Sequence, residues 1–264
     1  MTIKTFTASI LCSLSLVLSP SLSADDAQDK GLAIAKEMKS RDRGWVDSSA
    51  DMEMVLRSRG GRETRREMRI LSLEVQNDGD KSMTIFDSPN DVKGTAFLSF
   101  THNNADDDQW LYLPALKRVK RIASKNKSGP FMGSEFSYED LSSFEVEEYD
   151  YRWLRDEELN GELCFVVEII PRDKYSGYTR EIVWIDQEHY RAMKIEFYDR
   201  KDGVLKTLTL SDYQLHLDKF WRPAKQTMQN ERNGKSTEVL LRNYQFRSGL
   251  DEQDFTENSL KRAR

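Results

Sequence analysis

The chain is poor in the residues that usually build reactive centres and covalent scaffolds: it has 2 cysteines, 3 histidines and 6 prolines among 264 residues. Cys12 falls inside an N-terminal leader, which leaves Cys164 without a partner and excludes a disulfide-stapled domain. His102, His189 and His216 lie on separate predicted elements, without the spacing of a zinc site or of a nucleophile and its base, and read as surface or edge residues. No G-x-S-x-G elbow, G-x-x-x-x-G-K-[ST] loop or G-x-G-x-x-G turn after a strand occurs. Hydrolase, nucleotide-binding and dinucleotide-binding chemistry therefore lack their usual signatures. The expectation is a protein with no catalytic residue, no metal and no cofactor.

Long hydrophobic runs are equally scarce. With 38% hydrophobic and 32% charged residues there is no apolar mass for a polytopic membrane protein. The one such run is N-terminal: Lys4 supplies a positive start, residues 6 to 18 a short apolar core, and Ser21-Leu22-Ser23-Ala24 the small residues of a cleavage site. That core falls short of the ~20 residues of a membrane-spanning helix. Residues 1–24 are read as a signal peptide and residues 25–264 as a single exported domain, cut near Ala24 or Asp25. Loss of Lys4 leaves 39 Lys+Arg against 45 Asp+Glu, a net charge of -6, which disfavours nucleic acid as a partner.

What is present is periodicity. Residues 26–39 place Ala27, Leu32, Ala35 and Met38 near one helical face, with acids early and lysines late, predicting an amphipathic helix that ends around Arg43-Gly44. From about residue 50 the period becomes two, as in Met52, Met54 and Leu56, then Met68 and Ile70. Turn signals recur at Asn77-Asp78-Gly79-Asp80, Asn160-Gly161, Asp186-Gln187-Glu188, Lys201-Asp202-Gly203 and Arg232-Asn233-Gly234. The runs between them are rich in β-branched and aromatic residues, predicting about eleven strands in one antiparallel meander. So long a sheet must curl through accumulated twist, and with few helices to fill it the concave side should keep a cavity for an apolar ligand. The fold class expected is mainly β with α.

The middle of the chain breaks the pattern. After DQWLYLP comes ALKRVKRIASKNKSGPFMGSEFSYEDL, which reads as an insertion over the sheet or a mobile loop with a helical turn around residues 134–141. Lys117, Arg118, Lys120 and Arg121 are either an exposed strand end that discourages edge pairing or a docking patch for a membrane or an acidic partner. Trp110 and Tyr112 on one strand face, with Phe131, Met132 and Phe136 in the loop, are candidates for the cavity mouth, with ordinary core packing as the alternative. Asp106-Asp107-Asp108 reads as a solvated turn, Cys164 as a buried small hydrophobe, and Glu168 as solvent-facing.

Residues 109–122 (QWLYLPALKRVKRI) followed by residues 131–141 (FMGSEFSYEDL), with Trp184-Ile185-Asp186, residues 194–199 (KIEFYD) and Trp221-Arg222-Pro223 downstream, resemble the LolA-like outer-membrane lipoprotein-sorting family. That resemblance extends from the first helix to the C-terminal one. It implies a periplasmic incomplete barrel closed by helices, a hydrophobic cavity for lipid or lipoprotein acyl chains, transient membrane contact, a monomer, and an RND-type inner-membrane exporter as partner. The cargo-holding arginine of the dedicated lipoprotein chaperone has no matching position here. A lipid or lipoprotein sensor that regulates a membrane partner is the competing implication.

Overall fold

The computed structural model describes residues 23–263; the signal-peptide reading of residues 1–24 falls almost wholly outside the described residues. Helix α1 (Ala24–Arg41) starts on a reciprocal capping box, in which Ser23 accepts from the Asp26 backbone and Asp26 from that of Ser23. Asp25 and Asp26 sit at its positive end and Lys39 and Arg41 at its negative end. Its buried residues are Gly31, Ile34 and Ala35. A Cβ on Gly31 would lie 2.7 Å from the Trp153 backbone nitrogen. The missing side chain is what lets the helix rest directly on strand backbone.

Thirteen strands follow, two more than expected. The first six are β1 (Asp47–Arg57), β2 (Glu63–Leu73), β3 (Lys81–Ser88), β4 (Ala96–Phe100), β5 (Asp108–Leu113) and β6 (Arg118–Ile122). The remaining seven are β7 (Tyr149–Leu159), β8 (Glu162–Pro171), β9 (Arg180–Asp186), β10 (Ala192–Tyr198), β11 (Val204–His216), β12 (Phe220–Asn230) and β13 (Ser236–Phe246). All join one antiparallel sheet in the order β6-β5-β4-β3-β2-β1-β13-β12-β11-β10-β9-β8-β7. The chain thus begins mid-sheet, walks to one edge, reappears at the other and walks back until β13 pairs with β1. The edges β6 and β7 do not pair, so the curled sheet is an open half-barrel.

This order dictates the role of residues 123–148, which link the two edges and must cross the sheet. They cross its concave side, burying Phe131 and Phe136 among Phe86, Phe97, Met54, Met68 and Met228. The stretch expected as an insertion or mobile loop is therefore divided: Arg118–Ile122 pairs as an edge strand, and the rest is a crossing segment with short helical turns at Phe131–Gly133 and Glu139–Leu141. Helix α1 fills the concave side near β7 to β9, packing Ile34 and Ala35 on Tyr151, Val167, Ile169, Val183 and Ile185.

The convex face is also covered. Helix α2 (Glu257–Arg262), with the Phe255 just before it, seals Met83, Ile85, Ala96 and Leu98 through Phe255 and Leu260. Farther along, Cys164, Val166, Ile182 and Trp184 form a cluster roofed by charged side chains: Lys194 lies 4.3 Å over the Trp184 ring and Arg180 4.0 Å over that of Tyr198. Glu168, expected to face solvent, is 8% exposed because Arg152 and Arg180 pair with it at 2.8 and 3.8 Å. Burial, with Asp186 nearby, pushes the Cys164 thiol up to about 11, an unreactive state at neutral pH.

Candidate functional site

Inward-facing positions follow the pleat. Along β1 they run Ser48, Ala50, Met52, Met54; along β2 Ser72, Ile70, Met68; along β3 Ser82, Thr84, Phe86. The hairpin registers align Ser48 with Ser72 and Ser72 with Ser82, then Ala50 with Ile70 and Ile70 with Thr84, then Met52 with Met68 and Met68 with Phe86. Each row lies deeper than the last, so the wall changes from hydroxyl to hydrocarbon across about 13 Å of strand.

These rows, β11 to β13, the end of α1 and the crossing segment enclose a cavity of about 800 Å³. Met52, Met54, Ile70, Phe136, Leu210 and Leu241 form its apolar side. Its mouth is marked by the exposed Asp42, Asp218 and Lys219, with an aromatic and cationic rim behind them. There Arg191 lies 4.8 Å over Trp221 and 5.1 Å over Tyr213, and the His189 ring lies 4.8 Å from that of Trp221. Three of the cations here are neutralised locally: Arg191 pairs with Asp186 at 2.9 Å, Arg41 with Glu37 at 2.7 Å and Arg222 with Asp42 at 2.5 Å, whereas Lys219 donates to the Arg43 backbone carbonyl.

The polar end is the unusual part. Ser48 and Thr84 are 8% and 7% exposed and both line the cavity, as do Ser72 and Ser82. Among the described residues none of these four hydroxyls makes a side-chain hydrogen bond. An apolar group laid against them in place of water would leave each unsatisfied, at about 1–3 kcal/mol apiece. The row continues into Ser99 and Gln109, where Gln109 Nε2 donates to Ser99 Oγ at 3.3 Å and to the Tyr138 carbonyl at 3.0 Å, fastening the crossing segment. Lys39 at the end of α1 holds Glu145 at 2.9 Å, with Asp80 at 4.0 Å. Burial, opposed by Lys39, pushes Asp80 up to about 6.

Other carboxylates around the crossing segment share this state. Burial, with Asp107 and Glu145 nearby, pushes Glu148 up to about 8, and burial, with Asp140 and Glu139 nearby, pushes Glu181 up to about 8. The Asp106-Asp107-Asp108 turn is not simply solvated: Asp107 is raised by burial and accepts from Ser142 Oγ at 2.5 Å, tying the turn to the crossing segment. Groups with folded pKa values above their unfolded ones stabilise below the unfolded value and lose that contribution as pH rises through the folded one. Asp80, Glu148 and Glu181 therefore withdraw stability between about pH 4 and 8. His102 acts in the same direction: burial opposes its charge, but hydrogen bonds to Asp78 and Asp108 raise it. His216, lowered by burial, acts oppositely. A thermal-melting series should give a higher Tm at pH 5.5 than at pH 8.5, with the slope reduced in Glu148→Gln/Glu181→Gln; a flat or rising Tm would contradict the assignment.

The candidate mouth residues separate. Phe131 and Phe136 line the cavity, and Met132 packs at its flank while its carbonyl accepts from Arg66 at 2.7 Å. Trp110 and Tyr112 do not reach it. Leu111 takes the inward position, and the two aromatics turn to the convex cluster under α2. Lys117, Arg118, Lys120 and Arg121 are exposed on and beside the edge strand β6, with Arg121 paired to Asp108. Residue-type reasoning missed the serine row, Lys39, Asp80 and Arg191; of the rim, Trp221 and Arg222 stood out, within their Trp-Arg-Pro triplet. Among the described residues no cluster of three or more His, Cys, Asp or Glu could hold a metal ion, and no helix is long and apolar enough to cross a membrane.

A family model carrying only the description "-like: Uncharacterized protein" matches residues 78–262. No curated protein matches the chain. Among solved structures, a domain from Vibrio parahaemolyticus assigned to outer membrane lipoprotein sorting is 58% identical, with 89% of this chain and 99% of that one aligned and a TM-score of 0.87. A DUF1329 family protein from Desulfovibrio piger is 29% identical over 89% of this chain and 99% of that one, with a TM-score of 0.84. A LolA superfamily protein from Nitrosomonas europaea shares the fold at 19% identity, over 87% of this chain and 98% of that one, with a TM-score of 0.70. Aligned at 58% identity with nearly the whole of the Vibrio domain, the chain belongs to the same outer-membrane lipoprotein-sorting family, and it shares its fold with the LolA superfamily.

Proposed function

We propose that this protein is a non-catalytic periplasmic carrier that holds the acyl part of a lipid, a lipoprotein or another hydrophobic cargo in its half-barrel and passes it toward the outer membrane. The observation that carries this reading is the cavity of about 800 Å³, lined by Met52, Met54, Ile70 and Leu241 and open at one end. That volume lies within the range of sites that enclose small ligands. Burying ~10 methylenes at ~0.8 kcal/mol each supplies about 8 kcal/mol from water, enough for roughly micromolar binding before ordering costs. From a bilayer the same chain gains almost nothing, because one apolar medium replaces another. Loading therefore needs a membrane donor, and an RND-type inner-membrane exporter is the partner we propose. Lys117, Arg118, Lys120 and Arg121 are the proposed docking surface, since the exposed β6 edge presents them together.

Protein purified from the periplasm should release acyl species on solvent extraction, at up to one cargo molecule per chain in native mass spectra. It should also take up the neutral apolar fluorophore N-phenyl-1-naphthylamine once stripped. Recovery of no acyl species together with no fluorophore uptake would overturn the carrier reading.

A further inference from the structure

From the serine row we infer that the cargo is an amphiphile whose uncharged polar group, a hydroxyl-bearing or ester- or amide-linked backbone such as an acylated glycerol, lies against Ser48, Ser72 and Ser82 while its chain occupies the apolar depth beyond. This inference rests on the carrier reading and specifies the ligand of the same cavity. Three observations support it.

The hydroxyls are aligned. Ser48, Ser72 and Ser82 sit on adjacent strands in one register line, so they are spaced by about 4.8 Å and span about 10 Å. That matches a short run of oxygen-bearing carbons better than a single carboxylate. They are also unpartnered, although Ser48 is 8% exposed and Thr84, one row deeper, is 7% exposed. A hydroxyl both donates and accepts, so such a row serves hydroxyl and carbonyl oxygens equally.

Position and charge complete the argument. Ser48 pairs across the sheet with Phe246, whose ring lies 5.7 Å from the Arg222 guanidinium at the rim, so the row stands between the mouth and the methionine-lined depth. An amphiphile entering chain first would stop with its polar group there. The nearby cation Lys39 is committed to Glu145 at 2.9 Å, with Asp80 at 4.0 Å, while Lys219, which donates to the Arg43 backbone carbonyl, stands at the exposed mouth rather than at the row. An ionised head group would meet surplus carboxylate, whereas an uncharged one would not.

The test is displacement of N-phenyl-1-naphthylamine from the stripped full-length mature protein by monopalmitoylglycerol and by palmitate, each below its micellar concentration. Wild type should bind monopalmitoylglycerol at least tenfold more tightly than palmitate. Ser48→Ala/Ser72→Ala/Ser82→Ala should lose at least tenfold for monopalmitoylglycerol while keeping its fluorophore affinity and its Tm. If wild type takes up the fluorophore but shows no preference, or the triple variant loses none of it, the serine-row inference fails and the carrier reading stands. A variant that loses fluorophore and monopalmitoylglycerol alike would show a structural role for the serines and would also overturn the inference. If wild type takes up neither fluorophore nor lipid, both readings fall.

Discussion

Phe131→Ala is expected to destabilise the protein by about 3–5 kcal/mol, the range for removing a buried aromatic ring from a core. Phe131 is 1% exposed, and its ring centroid lies 5.2 Å from that of Phe97, 5.7 Å from Tyr138 and 5.9 Å from Phe86. It is the point at which the crossing segment plugs the concave side. Its neighbours belong to β3, β4 and the segment itself, so none can move in without disturbing sheet pairing, and the void should persist. Because whole domains are stable by only about 5–15 kcal/mol, the loss is a large fraction of the total. Denaturant unfolding reads it directly. Phe131→Leu, which keeps most of the volume, should cost less than half as much, and a loss under about 1 kcal/mol for Phe131→Ala would show that the segment does not depend on this ring.

The second large effect is electrostatic. Lys206 on β11 reaches Asp140 of the crossing segment at 2.6 Å and the Glu135 carbonyl at 3.2 Å, and both charged side chains are 5% exposed. Asp140 also accepts from Tyr178 Oη at 2.7 Å and from the Ser137 backbone at 2.6 Å. Removing one partner of a buried pair strands the other, so Lys206→Met should cost about 3–5 kcal/mol. Lys206→Met/Asp140→Asn should be distinctly more stable than the sum of the two single variants, because neither buried charge is then left alone. Strict additivity of the two substitutions would show that the pair is not coupled. Hydrogen exchange should report the damage first in residues 131–141, which the pair holds over the sheet.

These two expectations concern contacts between residues far apart in sequence, which marks the limit of what sequence reading can reach here. Local pattern is sufficient for α1, because the charges follow its dipole and its apolar residues recur at helical spacing. It is likewise sufficient for most strands, since period-two alternation and turn residues act between near neighbours. The strands hardest to see by alternation are β6, a five-residue edge strand inside a basic run, and the equally short β4. Neither is long enough to show a period above background.

Which face of a strand turns inward could not be read locally. In Trp110-Leu111-Tyr112-Leu113 both phases are apolar, so alternation alone has no polar side to mark as outer. The position of α2, joined to the sheet from the far end of the chain, claims Trp110 and Tyr112 and leaves Leu111 to the concave core. Glu168 misled for the same reason: its guanidinium partners come from β7 and β9, and a charge reads as exposed until those partners are known.

By itself, then, the sequence determined an antiparallel, one-sheet protein that curls, because twist accumulates in any sheet this long, and it carries none of the usual nucleotide-binding motifs. Only the tertiary structure decided that residues 123–148 bridge the two sheet edges across the concave side, and that Ser48, Ser72 and Ser82 form a single row at the mouth of the cavity. The physical reason is common to both. Strand pairing places side by side residues that are tens of positions apart, and each of those serines, taken alone, is only a polar position in an alternating strand.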